Sequence, residues 1–391
     1  MPILQDPLAI FALLMLNIVI SEQLAKLPYL RSFGSALIVI ILTAITANLG
    51  IIPSSTNAPP LYDGIFTYLA PVSIFYLLLT VNLRGLKKAG APMILNFLLG
   101  TAGTMLGTLV AMYLIAGPES FGESFYALAG MFTGTYIGGS SNFNALALHY
   151  EVNKQGNVYA AAIAADNIIT AIWMVVTPLL PPILNRYFPR QNRENLSASD
   201  QQRLSDEADA HINGRETMNP QELGILLGLG ALSLYLSQLA SNLFPAIPKI
   251  IFLTSIALVL AQFSSIQRLR GVRLIGMFCI YLFLAVIGAY CDLAALLHDG
   301  NLAIAMMGFV TILVLVHGLV VFGIGGFFKQ DWDILSIASQ ANVGGSASAL
   351  ALSKGLKRPD LYLPGILAGA LGNAIGTYCG LLVAEYLKNW G

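Results

Sequence analysis

Charge is what this sequence has least of. Of its 391 residues, 10% are Asp, Glu, Lys or Arg, against about 25% in soluble domains. So few charges cannot make a water-facing surface for a chain that is 56% hydrophobic, with a mean hydropathy of +0.73. The chain is therefore read as an all-α integral membrane protein. Its 20 basic and 20 acidic residues balance, which leaves no basic field for a nucleic-acid partner. Cysteine is also scarce. Cys279, Cys291 and Cys379 sit at unrelated spacings in apolar segments. That pattern excludes a disulfide framework or a zinc site and predicts free thiols. No phosphate-binding glycine loop is present, so neither direct ATP drive nor an organic cofactor is expected. The N-terminus lacks a basic run and a small-residue cleavage site, so segment 7–20 is expected to be a retained span.

Long apolar runs fill the space that charge leaves. A membrane helix needs roughly 20 mostly apolar residues. Such runs lie near 6–22, 34–52, 64–82, 92–116 and 158–183, and again near 222–240, 247–263, 273–292, 300–327 and 361–387. Residues 185–220 between the two sets are polar and charged, and are read as a solvated cytoplasmic linker. This divides the chain into a first repeat, 1–184, the linker, and a second repeat, 221–391.

Before the last run of each half lies an apolar stretch broken by glycine, 121–149 in the first and 333–353 in the second. Residues 137–148 read IGGSSNFNALAL and residues 343–352 read VGGSASALAL. Gly138 and Gly344 are 206 residues apart (344 − 138), as are Asn167 and Asn373. Asn82-Leu83 and Asp292-Leu293 close the third run of each half. Landmarks in the same order indicate an internal repeat.

Loop charge sets its orientation. Lys and Arg in short loops favour the cytoplasm. Basic loops occur at 23–33 (Lys26, Arg31), 83–91 (Arg84, Lys87, Lys88), the start of the linker, 264–273 (Arg268, Arg270, Arg273), Lys329, and Lys354 to Arg358. Nearly all of them fall on one side if each broken stretch enters and leaves on the same face. The expectation is ten spans and two re-entrant hairpins in two inverted repeats, with both termini outside. The first two spans of each half would form a scaffold, and the hairpins with their neighbouring spans a moving domain. Inverted repeats whose broken helices meet at the midplane are a recurring plan of secondary transporters.

The glycines permit backbone turns that other residues resist, and a helix restarting there presents open N–H groups to an anion. The expected solute-binding residues are Gly138, Gly139, Ser140, Ser141, Asn142, Asn144, Gly344, Gly345, Ser346 and Ser348. Asp166, mid-span in AAIAADNIITAIW, marks function because a carboxylate at that depth is expensive. With Asn167, Thr170, Thr133, Gln340, Asn342 and Asn373 it is read as the coupling-ion set, for Na+ through oxygen ligands or for a proton on Asp166 itself. The last span carries Gly365, Gly369, Gly372, Gly376 and Gly380 on one face, read as a packing surface against the hairpins. Asp292 and Glu385 are read as helix-end carboxylates, and His317 as an interior hydrogen-bonding residue.

The GGSSN and GGSAS tips resemble the glycine-rich loops of the sodium:glutamate symporters and the sodium-dependent 2-hydroxycarboxylate (citrate) transporters. Over nearly its whole length the chain is similar to a bacterial membrane family numbered 819 among the domains of unknown function. TGTYIGGSSNFNALA, the AADN helix and SQANVGGSASALA carry that likeness. The resemblance implies a dimeric, ion-coupled transporter of the bacterial inner membrane that works by an elevator-like movement. It extends to Gly138, Gly139, Ser140, Ser141, Asn142, Gly344, Gly345 and Ser346. The expected function is uptake of a small anionic or zwitterionic solute, such as a carboxylate, an acidic amino acid or a short acidic peptide, rather than catalysis. An intramembrane hydrolase using Asp166 and Asp292 is the alternative of a different class.

Overall fold

The computed structural model describes residues 2–27, 30, 34–190, 203–204, 218–292 and 300–389. Most of the expected linker lies outside these ranges. Among the described residues the regular structure is entirely helical, as backbone groups without water require. The first half supplies α1 (Pro7–Leu24), α2 (Gly34–Asn48), α3 (Pro60–Leu79), α4 (Ala91–Leu114), α5 (Phe125–Gly138), α6 (Ser140–His149) and α7 (Gly156–Tyr187). The second supplies α8 (Pro220–Leu243), α9 (Lys249–Ala261), α10 (Val272–Ala289), α11 (Asn301–Phe327), α12 (Trp332–Val343), α13 (Gly345–Gly355) and α14 (Tyr362–Lys388).

Each expected span corresponds to a helix. Eight helices are long and apolar enough to cross a membrane, α14 with the turn before it. The exceptions are α2, with 15 residues, and α9, with 13. At about 1.5 Å per residue these fall short of a ~30 Å hydrocarbon core. Each is the second helix of its half, so even the shortfall is shared. The chain is a multi-pass membrane protein.

The helices sort into two groups. In one, α1 packs on α2, α8 packs on α9, and α3 meets α10 at the centre, while α2 lies on α10 and α9 on α3. The Tyr76 hydroxyl of α3 donates to the Leu226 carbonyl of α8 at 2.9 Å, and Asn48 of α2 donates to the Cys291 carbonyl after α10 at 2.8 Å. Thus α3 and α10 join the helices expected to form the scaffold, because their bulky faces (Phe75, Tyr76, Phe283, Val286) are buried against them. In the other group α4 packs on α11, α5 on α14, and α12 on α7. Two sets of contacts are exchanged between the halves, α2 on α10 with α9 on α3, and α5 on α14 with α12 on α7. The groups touch where α6 meets α3 and α9, and where α7 meets α2 and α10.

Cys279 and Cys291 are buried and Cys379 is half-buried, all as free thiols. Pro178, Pro181 and Pro182 lie inside α7, which continues through them.

Candidate functional site

Both broken stretches fold back on themselves. α5 ends at Gly138, and Gly139 turns the chain at φ +90°. α6 then returns along α5, so Asn142 and Leu146 lie over Gly134. The second pair breaks at Gly344 and Gly345, the latter at φ +73°. Side chains other than glycine rarely adopt such angles. Neither α6 nor α13 has a side-chain cap, so the open N–H groups of both first turns remain available. The glycine face of α14 brings the pairs together. Gly372 touches Ile137 and Gly138 of α5, and Gly369 touches the backbone of Ser346 at the start of α13. The stripe thus packs against both pairs at backbone distance.

A cavity of about 410 Å³ opens between the two tips and α7. Asp166, Asn167, Thr170, Ala171 and Met174 of α7 form one wall. Thr135, Gly139 and Ser140 come from the first break, Val343 and Gly344 from the second, and Gly34 from the start of α2. Among the described residues Asp166 is the sole charged one on this lining. The Thr170 hydroxyl stands 3.4 Å from Asp166 Oδ1, one helical turn away. The buried phenol of Tyr136 lies beside the same carboxylate, and its hydroxyl closes no hydrogen bond of ordinary geometry.

The other expected residues divide by where their polar atoms go. Gly139, Ser140 and Gly344 of the solute set are on the cavity wall, with Asp166, Asn167 and Thr170 of the ion set. The rest are drawn into helix packing. Gly138 is pressed on Gly372, and Ser141 donates to Asn373 Oδ1 at 3.2 Å. Asn142 Oδ1 accepts from the Thr377 amide at 3.0 Å and hydroxyl at 2.7 Å. Asn144 accepts from the Tyr159 hydroxyl. Gly345 is buried, Ser346 donates to the Ile366 carbonyl at 2.9 Å, and Ser348 packs on Gly344. Thr133 pairs with Thr108 at 2.9 Å, and Asn342 Oδ1 accepts from Thr101 at 3.1 Å. Gln340 accepts from Thr177 at 3.2 Å. Its amide nitrogen has no partner and lies against Gly344. A small polar residue beside a glycine break reads alike in sequence whether it faces a cavity or the neighbouring helix.

Two arrangements went unseen in the sequence. The first is a directional hydrogen-bond chain through His317. Trp173 Nε1 donates to Ser339 Oγ at 3.0 Å, and Ser339 Oγ lies 2.9 Å from His317 Nε2. His317 Nδ1 lies 3.0 Å from the Gly100 carbonyl and 3.0 Å from Thr104 Oγ1, which donates to the Tyr136 carbonyl at 3.1 Å. A carbonyl only accepts, so Nδ1 bears the proton and Nε2 accepts from Ser339. The chain ties α7, α12, α11, α4 and α5 to one another. The second lies at the base of the second pair. Arg358, counted above as a basic loop residue, is 5% exposed. It bonds Asp331 at 3.0 Å, Asp333 at 2.8 Å and Asp360 at 2.7 Å. Burial works against its charge, but the hydrogen bonds it donates to Asp360, Asp333 and Asp331 outweigh that and raise its pKa above the usual guanidinium value. The DWD and RPD strings that build this cluster were visible, but their pairing was not, because 25 residues separate Asp333 from Arg358.

Asp292 is exposed beyond α10 and does not line the cavity. Glu385 accepts from the Tyr150 hydroxyl at 2.8 Å, which joins the end of α14 to the end of α6.

A family model described as "Protein of unknown function (DUF819)" matches residues 9–390. A protein of Bacillus subtilis (strain 168), "Uncharacterized membrane protein YjcL", is 26% identical over 382 residues, covering 93% of this chain and 91% of its own length. With a match that runs through both repeated stretches and the helices around the cavity, the chain belongs to the DUF819 family.

Proposed function

We propose that the chain is a secondary active transporter of the bacterial inner membrane. It would take up a small anionic or zwitterionic solute together with Na+ or a proton. One observation carries this reading: a cavity between two uncapped helix starts and a carboxylate on α7, a helix long and apolar enough to cross a membrane, with irregular backbone on its wall. Irregular backbone in a membrane is tolerated where it is buried in protein or lines a watery space, and broken helices from two repeats meeting at one site are the transporter arrangement. The exchanged helix contacts support two inverted repeats with re-entrant hairpins.

The division of labour follows from charge. The first-turn N–H groups of α6 and α13, with the Gln340 amide under Gly344, favour a carboxylate. Asp166 and Thr170 supply oxygens for a cation. Asp166 by itself repels an anion, whereas a cation bound beside it cancels that charge and lets the anion settle on the helix starts. That is the physical basis for coupling. Gly34 adjoins the basic loop 23–33, which supports an opening toward the cytoplasm. Movement of the tip-bearing group against the other, as an elevator anchored in a homodimer, would expose the cavity to the opposite side. An intramembrane hydrolase would need two carboxylates at one point, and Asp292 stands apart from Asp166.

The test is a thermal-stability screen of the purified protein against mono- and dicarboxylates, amino acids and short acidic peptides, with and without Na+. The positive compound then goes into an uptake assay in proteoliposomes. A solute that raises the melting temperature and accumulates against its gradient until an ionophore is added supports the reading. Stability unmoved by any of these solutes overturns the solute class, and uptake without accumulation makes the protein a channel.

A further inference from the structure

We propose that Tyr136, together with Asp166 and Thr170, holds one Na+ ion at the edge of the cavity, a site that rests on the transport reading and names its coupling ion. Three side chains from two helices converge there. Thr170 and Asp166 are one turn apart on α7 and so share a face. Tyr136 reaches them from the last turn of α5. Every group they present is oxygen, the donor set of a hard cation.

The state of the Tyr136 hydroxyl is the second, independent observation. The residue is 0% exposed, yet its hydroxyl has no hydrogen-bond partner. Buried hydroxyls are normally paired, and this one reaches ordinary hydrogen-bond geometry with neither the carboxylate nor the threonine hydroxyl beside it. Tyr159, whose ring is also buried nearby, has spent its hydroxyl on Asn144. Thr170 and Asp166 are themselves at 3.4 Å, the long limit of a hydrogen bond. Three oxygens that stand close, with only this one long hydrogen bond among them, describe a place for an ion between them. Among the described residues no Lys or Arg on the cavity lining competes for the role.

The experiment needs no solute. Thermal stability of the purified full chain is measured in NaCl against equal choline chloride across a range of pH, for the native protein, Tyr136→Phe, Thr170→Val and Asp166→Asn. The phenylalanine keeps the buried ring and so preserves the fold. The expected result is a sodium-specific rise in melting temperature. Its half-saturating concentration increases about tenfold or more in Tyr136→Phe, and the rise disappears in Asp166→Asn. A sodium rise that is the same in the native protein and in Tyr136→Phe removes the phenol from the site. Stability that follows pH and ignores Na+ assigns Asp166 to a proton instead. Either outcome overturns this site while a solute-induced shift leaves the transport reading standing. A failed solute screen with an intact sodium response does the reverse.

Discussion

α7 and α14 occupy equivalent places in the two halves, yet one edges a cavity and the other closes a seam. At an offset of 206 residues, Gly365, Gly369, Gly372, Gly376 and Gly380 of α14 correspond to Tyr159, Ile163, Asp166, Thr170 and Met174 of α7. On α14 the glycines let the backbones of α5 and α13 come within touching distance, so nothing is left between them. On α7 three of those positions carry Asp166, Thr170 and Met174, which line the cavity beside the first tip. α7 meets the second pair through side chains instead, with Trp173 on Ser339 and Thr177 on Gln340. On the proposed transport reading, α14 serves close packing and α7 the ion chemistry.

The comparison is broken most severely by moving a residue of α7 into α14. Gly372→Asp would drive a side chain into the Ile137 carbonyl and bury a charge in a seam with no room for a counter-ion. Overpacking alone costs about 1–3 kcal/mol, and an unpaired buried charge brings the total to the rare range above about 4–5 kcal/mol. The expected outcome is loss of monodisperse protein on size exclusion. Recovery of native yield and melting temperature would mean that the seam is not tight.

The bases of the two broken pairs give the next contrast. Arg358 binds three carboxylates at the base of the second pair, while at the base of the first the Tyr150 hydroxyl donates to Glu385 of α14. Removing one partner of a buried ionic cluster costs about 3–5 kcal/mol; losing one hydrogen bond costs about 1 kcal/mol. Arg358→Met should therefore lower the melting temperature several times more than Tyr150→Phe. Equal effects in differential scanning fluorimetry would show that the cluster is not what fixes the second pair.

Much of this architecture was legible in the sequence, for a simple reason. A span must be long and apolar, so hydropathy located every helix, including the two short ones. A tight break needs glycine, so Gly139 and Gly345 announced themselves. What could not be read was side-chain direction. Asn142 and Ser140 are two residues apart in the same polar string, but a helix turns about 100° per residue. Asn142 faces Thr377, and Ser140 faces the cavity. Nor did the sequence reveal that His317 bridges two pairs through Thr104 and Ser339, since those partners lie on three separate helices.

The reciprocal exchange, Asp166→Gly, has the smallest expected effect on stability and is the sharpest test of the asymmetry. Asp and Gly are both poor helix formers, differing by roughly 0.3 kcal/mol in a helix interior. Asp166 makes one long hydrogen bond, to Thr170, so its removal leaves little behind. The variant should fold and elute as the native protein does, with its melting temperature in choline chloride almost unchanged. Its response to Na+ should be gone, because the charge that draws the cation has been removed. Position 372 cannot accept the residue of position 166 without collapse, whereas position 166 can accept the residue of position 372 and lose only its chemistry. An Asp166→Gly protein that fails to fold would show that α7, like α14, is there for packing, and the distinction between the two seams would fall.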